Sequence, residues 1–203
     1  MPLHLGLVPD AHRAAVAANL AKRVQADGMQ LDVGLLGTKS ILNALSESGY
    51  GDVAYALAAR EQYPSWGWWI KNGATTLYEN WPIDAQSDIS MNHIMFGEIG
   101  AWLYKGPGGI KPDEAAPGFK NVLLQPVFPK NLSSFEASHV GPYGKIVSSW
   151  KREEKGIVWE VQIPVNATAT VALPKGNVML NGKKVVMENA LQLPAGRHVF
   201  VIK

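Results

Sequence analysis

The first half of the chain carries apolar residues at helical spacing, punctuated by glycines. Val16, Leu20 and Val24 follow one another at intervals of four, which places them on one face of a helix. This helix is expected to begin after Asp10 and to stop at Gly28, because glycine readily adopts the left-handed conformation that closes many helices. The pattern predicts one amphipathic helix.

Three further helices follow from the same reasoning. Thr38 is the expected N-cap of the second helix, which stops at Gly49, and Asp52 opens a third helix that ends before Pro64. A fourth helix is expected over residues 91–104, where apolar side chains again share one face. Helices separated by short glycine-containing connections are typical of helical hairpins.

The sequence pattern changes near residue 117, where β-branched residues and alternating apolar and polar positions replace the helical spacing. The turns expected between strands include Glu153-Glu-Lys-Gly156 and Asn181-Gly182, the second of which suits a type I′ hairpin. Short strands at regular spacing favour an antiparallel sandwich. The predicted strands are 122–127, 144–151, 157–163, 168–173, 178–180, 184–187 and 198–202.

These two halves predict an α+β chain with more than one domain. Residues 1–110 are assigned to a helical domain and residues 111–203 to an antiparallel β-sandwich. The charges of the β half, such as those around Glu153, are most simply a solvated hairpin, so candidate chemistry is sought in the helical half.

Composition narrows the classes of partner. The net charge is +2 without a long basic run, which argues against a nucleic-acid partner, and no apolar run is long enough to span a membrane. The chain has no cysteine, so disulfides and thiolate metal sites are excluded, and no metal or cofactor is expected. The N-terminus lacks the pattern of a signal peptide, and the compartment is left open.

One aromatic segment, residues 63–82, stands out in the helical half. It contains four of the seven tryptophans, and Glu79 is the single carboxylate among them. Aromatic rings cover the C–H faces of sugars, and a carboxylate that they shield from water is suited to proton transfer. The composition suggests a carbohydrate cleft, but composition alone slightly favours the core of a helical bundle, because most tryptophans are simply buried.

Several motifs in this order resemble the bacterial α-L-rhamnosidases, glycoside hydrolase family 78, in the C-terminal part of their chains. The resemblance covers most of residues 30–150. It is carried by Tyr50-Gly-Asp52, Tyr63-Pro-Ser-Trp-Gly67, Gly73-Ala-Thr-Thr76 with Glu79 and Trp81, Ser90-Met-Asn-His93, Trp102-Leu-Tyr104 and Pro117-Gly-Phe-Lys120.

The resemblance implies an (α/α)6 helical barrel followed by a C-terminal β-sandwich. Twelve helices make such a barrel, so the four predicted here imply a partial ring. The chain is then either a fragment, whose partner is the remainder of a longer chain, or a gene product that has lost the rest. Helix faces left uncovered by a partial ring would favour a homo-oligomer. The implied activity is hydrolysis of terminal α-L-rhamnosides with inversion, and the implied partner is a rhamnose-containing glycoside or oligosaccharide.

The resemblance also implies roles for individual residues. Glu79 corresponds to the general base that activates water, and His93 corresponds to a histidine that contacts the bound sugar. Trp66, Trp81 and Tyr78 are expected to line the sugar pocket. Tyr78 stands where family members usually have tryptophan, and Pro82 stands where they have an acid, which leaves the preferred sugar open.

Other interpretations stay open at this stage. The family's general acid lies upstream of the base, and the chain has no segment that resembles it, so a carbohydrate-binding or structural module without turnover is one alternative. Another (α/α)6 enzyme, such as a lyase using Tyr78 or His93, is a second. Asp84 and Asp88 could support the site, but aspartates in loops are more often turn formers.

Overall fold

The computed structural model describes residues 1–83 and 90–203, which divide into two compact units, Met1–Trp102 and Leu103–Lys203. Asp84 and Asp88 lie outside the described residues. In the described ranges, no helix has the length and apolar content needed to cross a membrane. The helices are α1 Asp10–Ala26, α2 Leu35–Glu47, α3 Gly51–Ala58, α4 Trp66–Lys71 and α5 Glu98–Lys105, with a 3₁₀ helix at Ile94–Gly97.

The predicted glycine stops are confirmed. Gly28 and Gly49 follow α1 and α2 with φ angles of 68° and 86°, which lie in the left-handed region. After each helix, the N–H groups of the glycine and of the next residue donate to carbonyls of the last turn. This arrangement satisfies carbonyls that the end of a helix leaves unpaired.

The predicted start of the second helix is wrong. α2 begins at Leu35 with Gly34 as its N-cap, and Thr38 lies inside the helix with its side chain buried. The Thr38 hydroxyl donates to the Gly34 carbonyl oxygen at 2.9 Å. A threonine hydroxyl can form this backward bond within a helix as well as cap one, so its position alone did not identify the start.

The predicted apolar face of α1 is only partly correct, because Val24 is buried and Leu20 packs against the core, but Val16 does not belong to the buried face. Ala17, Ala21 and Val24 are buried, whereas Val16 is 39% exposed. Small alanine side chains let a neighbouring helix approach closely, so the buried stripe follows the alanines rather than the larger residue beside them.

The predicted fourth helix is shorter than expected, and a short helix before it was missed. Residues 91–93 lie outside any helix, and the chain reaches α5 through the 3₁₀ helix. The missed helix, α4, is capped by Ser65, whose side-chain oxygen accepts from the Trp68 N–H at 2.9 Å. Its run of aromatic residues has no clear helical periodicity, which is why the sequence did not predict it.

Gly67 in α4 is required by a close backbone approach. A Cβ atom at this position would lie 2.4 Å from the carbonyl oxygen of Arg60, where no real side chain fits. The connection between α3 and α4 therefore packs directly against the backbone of α4.

Replacing Gly67 by alanine is expected to lower the free energy of unfolding by about 1–3 kcal/mol, because the backbone at Arg60 must move to admit the methyl group. Gly100 in α5 is a matched control, since a Cβ there meets nothing within 4 Å. Gly100→Ala should stabilise by up to about 1 kcal/mol through helix propensity. Urea titration of the two variants measures the difference, and equal midpoints would contradict the packing argument.

Several large apolar side chains of the helical unit are exposed. The clearest are Leu7, Leu36, Ile70 and Ile94, the last of them 86% exposed. Self-association through such residues stays a prediction.

The second unit is a β-sandwich of two sheets, as the sequence predicts. One sheet has the order β1-β2-β6-β9 and the other β3-β4-β5-β10-β7-β8. Among the described strands, the pairing of β2 with β6 is parallel and the others are antiparallel. The strands are β1 Ile110–Pro112, β2 Asn121–Leu124, β3 Ser134–Gly141, β4 Gly144–Glu153, β5 Gly156–Ile163, β6 Thr168–Val171, β7 Gly176–Leu180, β8 Lys183–Met187, β9 Leu191–Leu193 and β10 Gly196–Ile202.

The core between the sheets is built on aromatic side chains. Trp159 stacks on Phe200 with ring centroids 4.9 Å apart, and its Nε1–H donates to the Ser148 hydroxyl at 2.9 Å. The Trp150 Nε1–H donates to the Pro107 carbonyl at 2.8 Å. Both indoles are thus buried with their polar atom satisfied.

Both predicted turns are confirmed. Asn181 and Gly182 have φ angles of 49° and 78° between β7 and β8, as a type I′ hairpin requires. The turn that ends at Gly156 joins β4 to β5. The predicted domain boundary at residue 110 stays a prediction.

Candidate functional site

The loop that carries Glu79 begins where α4 stops. Gly73 has a φ of 85°, its N–H donates to the Ile70 carbonyl at 3.1 Å, and the Ala74 N–H donates to the Trp69 carbonyl at 3.0 Å. This is the two-bond closure of a helix that favours glycine because of the positive φ. The glycine of the Gly-Ala-Thr-Thr motif therefore turns the chain out of α4 and directs it into the loop.

The loop is held against the segment that carries His93. The Glu79 N–H donates to the Ser90 carbonyl at 2.9 Å, and the His93 N–H donates to the Leu77 carbonyl at 2.7 Å. The Thr76 hydroxyl adds a bond of 2.5 Å to the Met91 carbonyl. Residues 76–79 and 90–93 are consequently paired side by side, which brings Glu79 and His93 into one local structure.

Among the residues that the structure describes, the Ser90 backbone holds the Glu79 carboxylate at one of its oxygens. Its Oε2 accepts from the Ser90 N–H at 2.9 Å, and the side chain is partly exposed. A hydrogen bond to a carboxylate is stronger than one between neutral groups, so it favours one rotamer of this side chain. The arrangement provides an oriented and partly exposed carboxylate, which is what activation of a water molecule requires.

His93 lies in extended conformation immediately before the 3₁₀ helix, with φ −133° and ψ 132°. Its Nδ1 accepts from the Met95 N–H at 3.3 Å. Because a backbone N–H can only donate, Nδ1 is the acceptor and Nε2 carries the proton of the neutral ring. The ring thus offers an oriented Nε2–H donor, and the cap explains why the helix does not begin at residue 91.

The three predicted wall residues, Trp66, Tyr78 and Trp81, belong to one aromatic cluster around Trp69 and Phe96. Ring centroids lie 4.8 Å apart for Trp69 and Trp81, 4.5 Å for Trp81 and Phe96, and 5.4 Å for both Trp66–Trp81 and Trp69–Tyr78. All five side chains are buried within this unit. The packing interpretation of the tryptophans is therefore observed, and contact with a sugar stays a prediction.

Each indole N–H of the cluster has a backbone acceptor. Trp66 donates to the Phe96 carbonyl at 3.1 Å, and Trp69 donates to the Trp81 carbonyl at 2.8 Å. Trp81 donates to the Val33 carbonyl at 3.0 Å, in the connection between α1 and α2. The cluster thus fastens the Glu79 loop to its surroundings by directed bonds as well as by packing.

An open cleft of about 950 Å³ lies beside Trp81, and sequence reasoning missed it. Its walls come from the end of α1, the α1–α2 connection and the α3–α4 connection, which meet only in the folded unit. Spacing along the chain gave no signal for it. The lining residues are Arg23, Ala26, Asp27, Gln30, Leu31, Asp32, Val33, Gly34, Tyr63, Pro64 and Trp81.

Two models of known protein families match this chain, and together they cover most of both units. Residues 1–106 match the model of the bacterial alpha-L-rhamnosidase 6 hairpin glycosidase domain, and residues 109–187 match that of the bacterial alpha-L-rhamnosidase C-terminal domain. The chain belongs to the bacterial α-L-rhamnosidase family. The predicted fold class, a helical hairpin domain followed by a β-sandwich, is confirmed for this family member.

Relatives with the name alpha-L-rhamnosidase include proteins of Streptomyces avermitilis and Formosa agariphila. The Streptomyces avermitilis protein is 34% identical over 182 residues, which cover 86% of this chain and 17% of the relative. The Formosa agariphila protein is 32% identical over 184 residues, which cover 87% of this chain and 20% of the relative. A solved α-L-rhamnosidase of Streptomyces avermitilis complexed with L-rhamnose superimposes with a TM-score of 0.84 at 30% identity, covering 100% of this chain and 21% of that one. The chain therefore spans about a fifth of the length of these relatives.

The predicted site residues thus occupy three different kinds of position in the structure. It brings Glu79 and His93 together on paired segments. It places Trp66 and Tyr78 in the aromatic cluster, and it places Trp81 both in that cluster and on the wall of the cleft.

Proposed function

We propose that this rhamnosidase-family chain contributes the general base and part of the sugar pocket to the inverting hydrolysis of terminal α-L-rhamnosides. The observation that carries the proposal is the Glu79 carboxylate, held by the Ser90 N–H on a segment paired with that of His93. Both segments lie within the residues that match the glycosidase domain.

In the proposed reaction, Glu79 removes a proton from a water molecule while the water oxygen attacks the anomeric carbon. We assign this step to Oε1, because Oε2 already accepts from Ser90. The bond from the anomeric carbon to the leaving oxygen breaks on the opposite face, and a second carboxyl group protonates that oxygen. Inverting enzymes hold the two carboxyl groups about 6.5–9.5 Å apart to leave room for the water.

His93 is proposed to orient the sugar. Its Nε2–H can donate to a sugar hydroxyl while the bond from the Met95 N–H to Nδ1 keeps the ring in place. The neighbouring Streptomyces avermitilis structure contains L-rhamnose, which supports rhamnose as the sugar of this site. Trp66, Tyr78 and Trp81 are proposed to supply apolar pocket wall.

The stereochemistry of the first product tests the proposal. The polypeptide that contains these 203 residues is incubated with an aryl α-L-rhamnoside, and proton NMR follows the anomeric signals before mutarotation mixes them. Inversion is expected to release β-L-rhamnose first. Initial release of the α anomer would show retention, and the assignment of Glu79 as a base acting on water would then be wrong.

Calorimetry with L-rhamnose on the same sample separates the proposed activity from that of a carbohydrate-binding module. Hydrolysis together with binding supports the glycosidase. Binding without any hydrolysis contradicts turnover and supports the module.

A further inference from the structure

Thr76 connects the loop of Glu79 to the segment of His93, and the proposed chemistry leaves this side chain without a role. We propose that Thr76 is a positioning residue of the hydrolytic site, whose hydroxyl fixes the base and the sugar-orienting histidine relative to each other through the Met91 carbonyl. It acts through these residues rather than on the substrate. The inference rests on the proposed rhamnosidase function and adds one residue to its machinery.

The bond from Thr76 lies between the two groups that it is proposed to place. The Thr76 hydroxyl donates to the Met91 carbonyl at 2.5 Å. The residue before Met91 is Ser90, whose N–H holds the Glu79 carboxylate, and His93 follows on the same segment. A displacement of Met91 therefore moves the donor to the carboxylate and the backbone that carries the histidine together.

The backbone pairing of the two segments is offset by one residue. The Glu79 N–H donates to the Ser90 carbonyl, and the His93 N–H donates to the Leu77 carbonyl. Between these bonds lie one residue of the first segment and two of the second, as in a β-bulge, which leaves backbone groups without a partner in the ladder. The second segment thus depends on side chains for its placement.

The two residues of this bulge, Met91 and Asn92, have carbonyls that side chains satisfy. The Asn92 carbonyl accepts from the Ser90 hydroxyl at 2.9 Å within the same segment, whereas the Met91 carbonyl accepts from Thr76 on the other one. Among the described residues, Thr76 and Glu79 are the hydrogen-bonding side chains that tie the two segments to each other. Loss of the Thr76 hydroxyl frees the bulge to shift against the loop of the base.

The exposure of Thr76 separates positioning from stability. Because Thr76 is exposed, water can satisfy its hydroxyl and the Met91 carbonyl when the bond between them is lost, so the free energy of unfolding should change little. Threonine is also stiff about χ1, since its Cβ is branched, and this restricts the direction of the hydroxyl. Serine keeps the hydroxyl without the restriction and is therefore a graded replacement.

The test uses the polypeptide that contains this chain, with an aryl α-L-rhamnoside as the substrate. Thr76→Val replaces the hydroxyl by a methyl group of similar shape, and kcat is expected to fall about three- to tenfold, the fold-change that corresponds to one hydrogen bond. The melting temperature should stay unchanged. Thr76→Ser should recover most of the lost kcat, since it restores the donor to Met91.

Thr75→Val is the matched control, because Thr75 is the exposed threonine next to Thr76 and its side chain forms no hydrogen bond in the described part of the chain. It should leave kcat unchanged. Wild-type kcat in Thr76→Val, an equal loss in Thr75→Val, or a Thr76→Ser variant as slow as Thr76→Val would each overturn the proposal.

Amide hydrogen exchange followed by NMR gives a result that does not depend on turnover. The N–H groups of Glu79 and His93 are bonded across the pair of segments, so both should exchange about threefold faster or more in Thr76→Val and at the wild-type rate in Thr75→Val. If the wild-type polypeptide hydrolyses no rhamnoside, the proposed function fails, while faster exchange still supports Thr76 as the residue that holds the two segments. Unchanged exchange in Thr76→Val overturns that placement whether or not the polypeptide is active.

Discussion

Replacing Glu79 by glutamine is expected to lower kcat for an aryl α-L-rhamnoside by about 10²–10⁴-fold, the contribution typical of a general base. The amide cannot take a proton from water, yet its oxygen can still accept from the Ser90 N–H as the carboxylate does. The loop should therefore keep its conformation. Since the proposed role of Glu79 concerns the water, KM should change little while kcat falls.

Steady-state kinetics and thermal unfolding of the Glu79→Gln variant separate chemistry from folding. Glu154→Gln is the control, because Glu154 is an exposed glutamate in the turn between β4 and β5 of the other unit. It should leave kcat and the melting temperature unchanged. If Glu79→Gln retains the wild-type kcat, the base lies elsewhere.

Local backbone rules made the helix stops and the hairpin turns predictable. Gly28, Gly49 and the Asn181-Gly182 pair take the positive φ angles that their residue types allow, so the sequence identified them without reference to the rest of the chain. Thr38 shows the limit of such rules, since its hydroxyl serves a capping role in some helices and a backward bond inside this one.

The strands that were missed are those without a buried alternating pattern. β3 is the outermost strand of its sheet, and much of its length is exposed or half-buried. β1 and β9 have three residues each, too short for a period of two to be detected. The parallel pairing of β2 with β6 depends on segments about 47 residues apart, which periodicity cannot report.

The candidate site was predictable in composition and only partly in geometry. The sequence placed Glu79 among tryptophans, and the structure shows that Trp69 is the buried centre of that group. The cleft was not predictable, because Asp32 and Tyr63 come from connections about 30 residues apart and meet only after the helices pack. Tertiary placement, rather than residue type, decides which aromatic rings are buried in the cluster and which line the cleft.

A large loss of stability is expected when the central tryptophan of the aromatic cluster is removed. Trp69→Ala should lower the free energy of unfolding of the helical unit by about 3–5 kcal/mol, the usual range for removing a buried tryptophan. The ring lies 4.8 Å from Trp81 and 5.1 Å from Phe96 between centroids, and its removal leaves a large cavity. It also leaves the Trp81 carbonyl without the Nε1–H donor, so the Glu79 loop should loosen together with the core.

Trp68→Ala is the adjacent control, since Trp68 is only half-buried and packs against the exposed Tyr63. It should cost roughly 1–2 kcal/mol, and Trp69→Phe should fall between the two alanine variants because it keeps an aromatic ring but no donor. Urea titrations followed by tryptophan fluorescence and circular dichroism give the comparison. Equal losses for Trp68→Ala and Trp69→Ala would mean that the aromatic cluster does not hold the Glu79 loop in place, and the fixed geometry assigned to the base would then need another source.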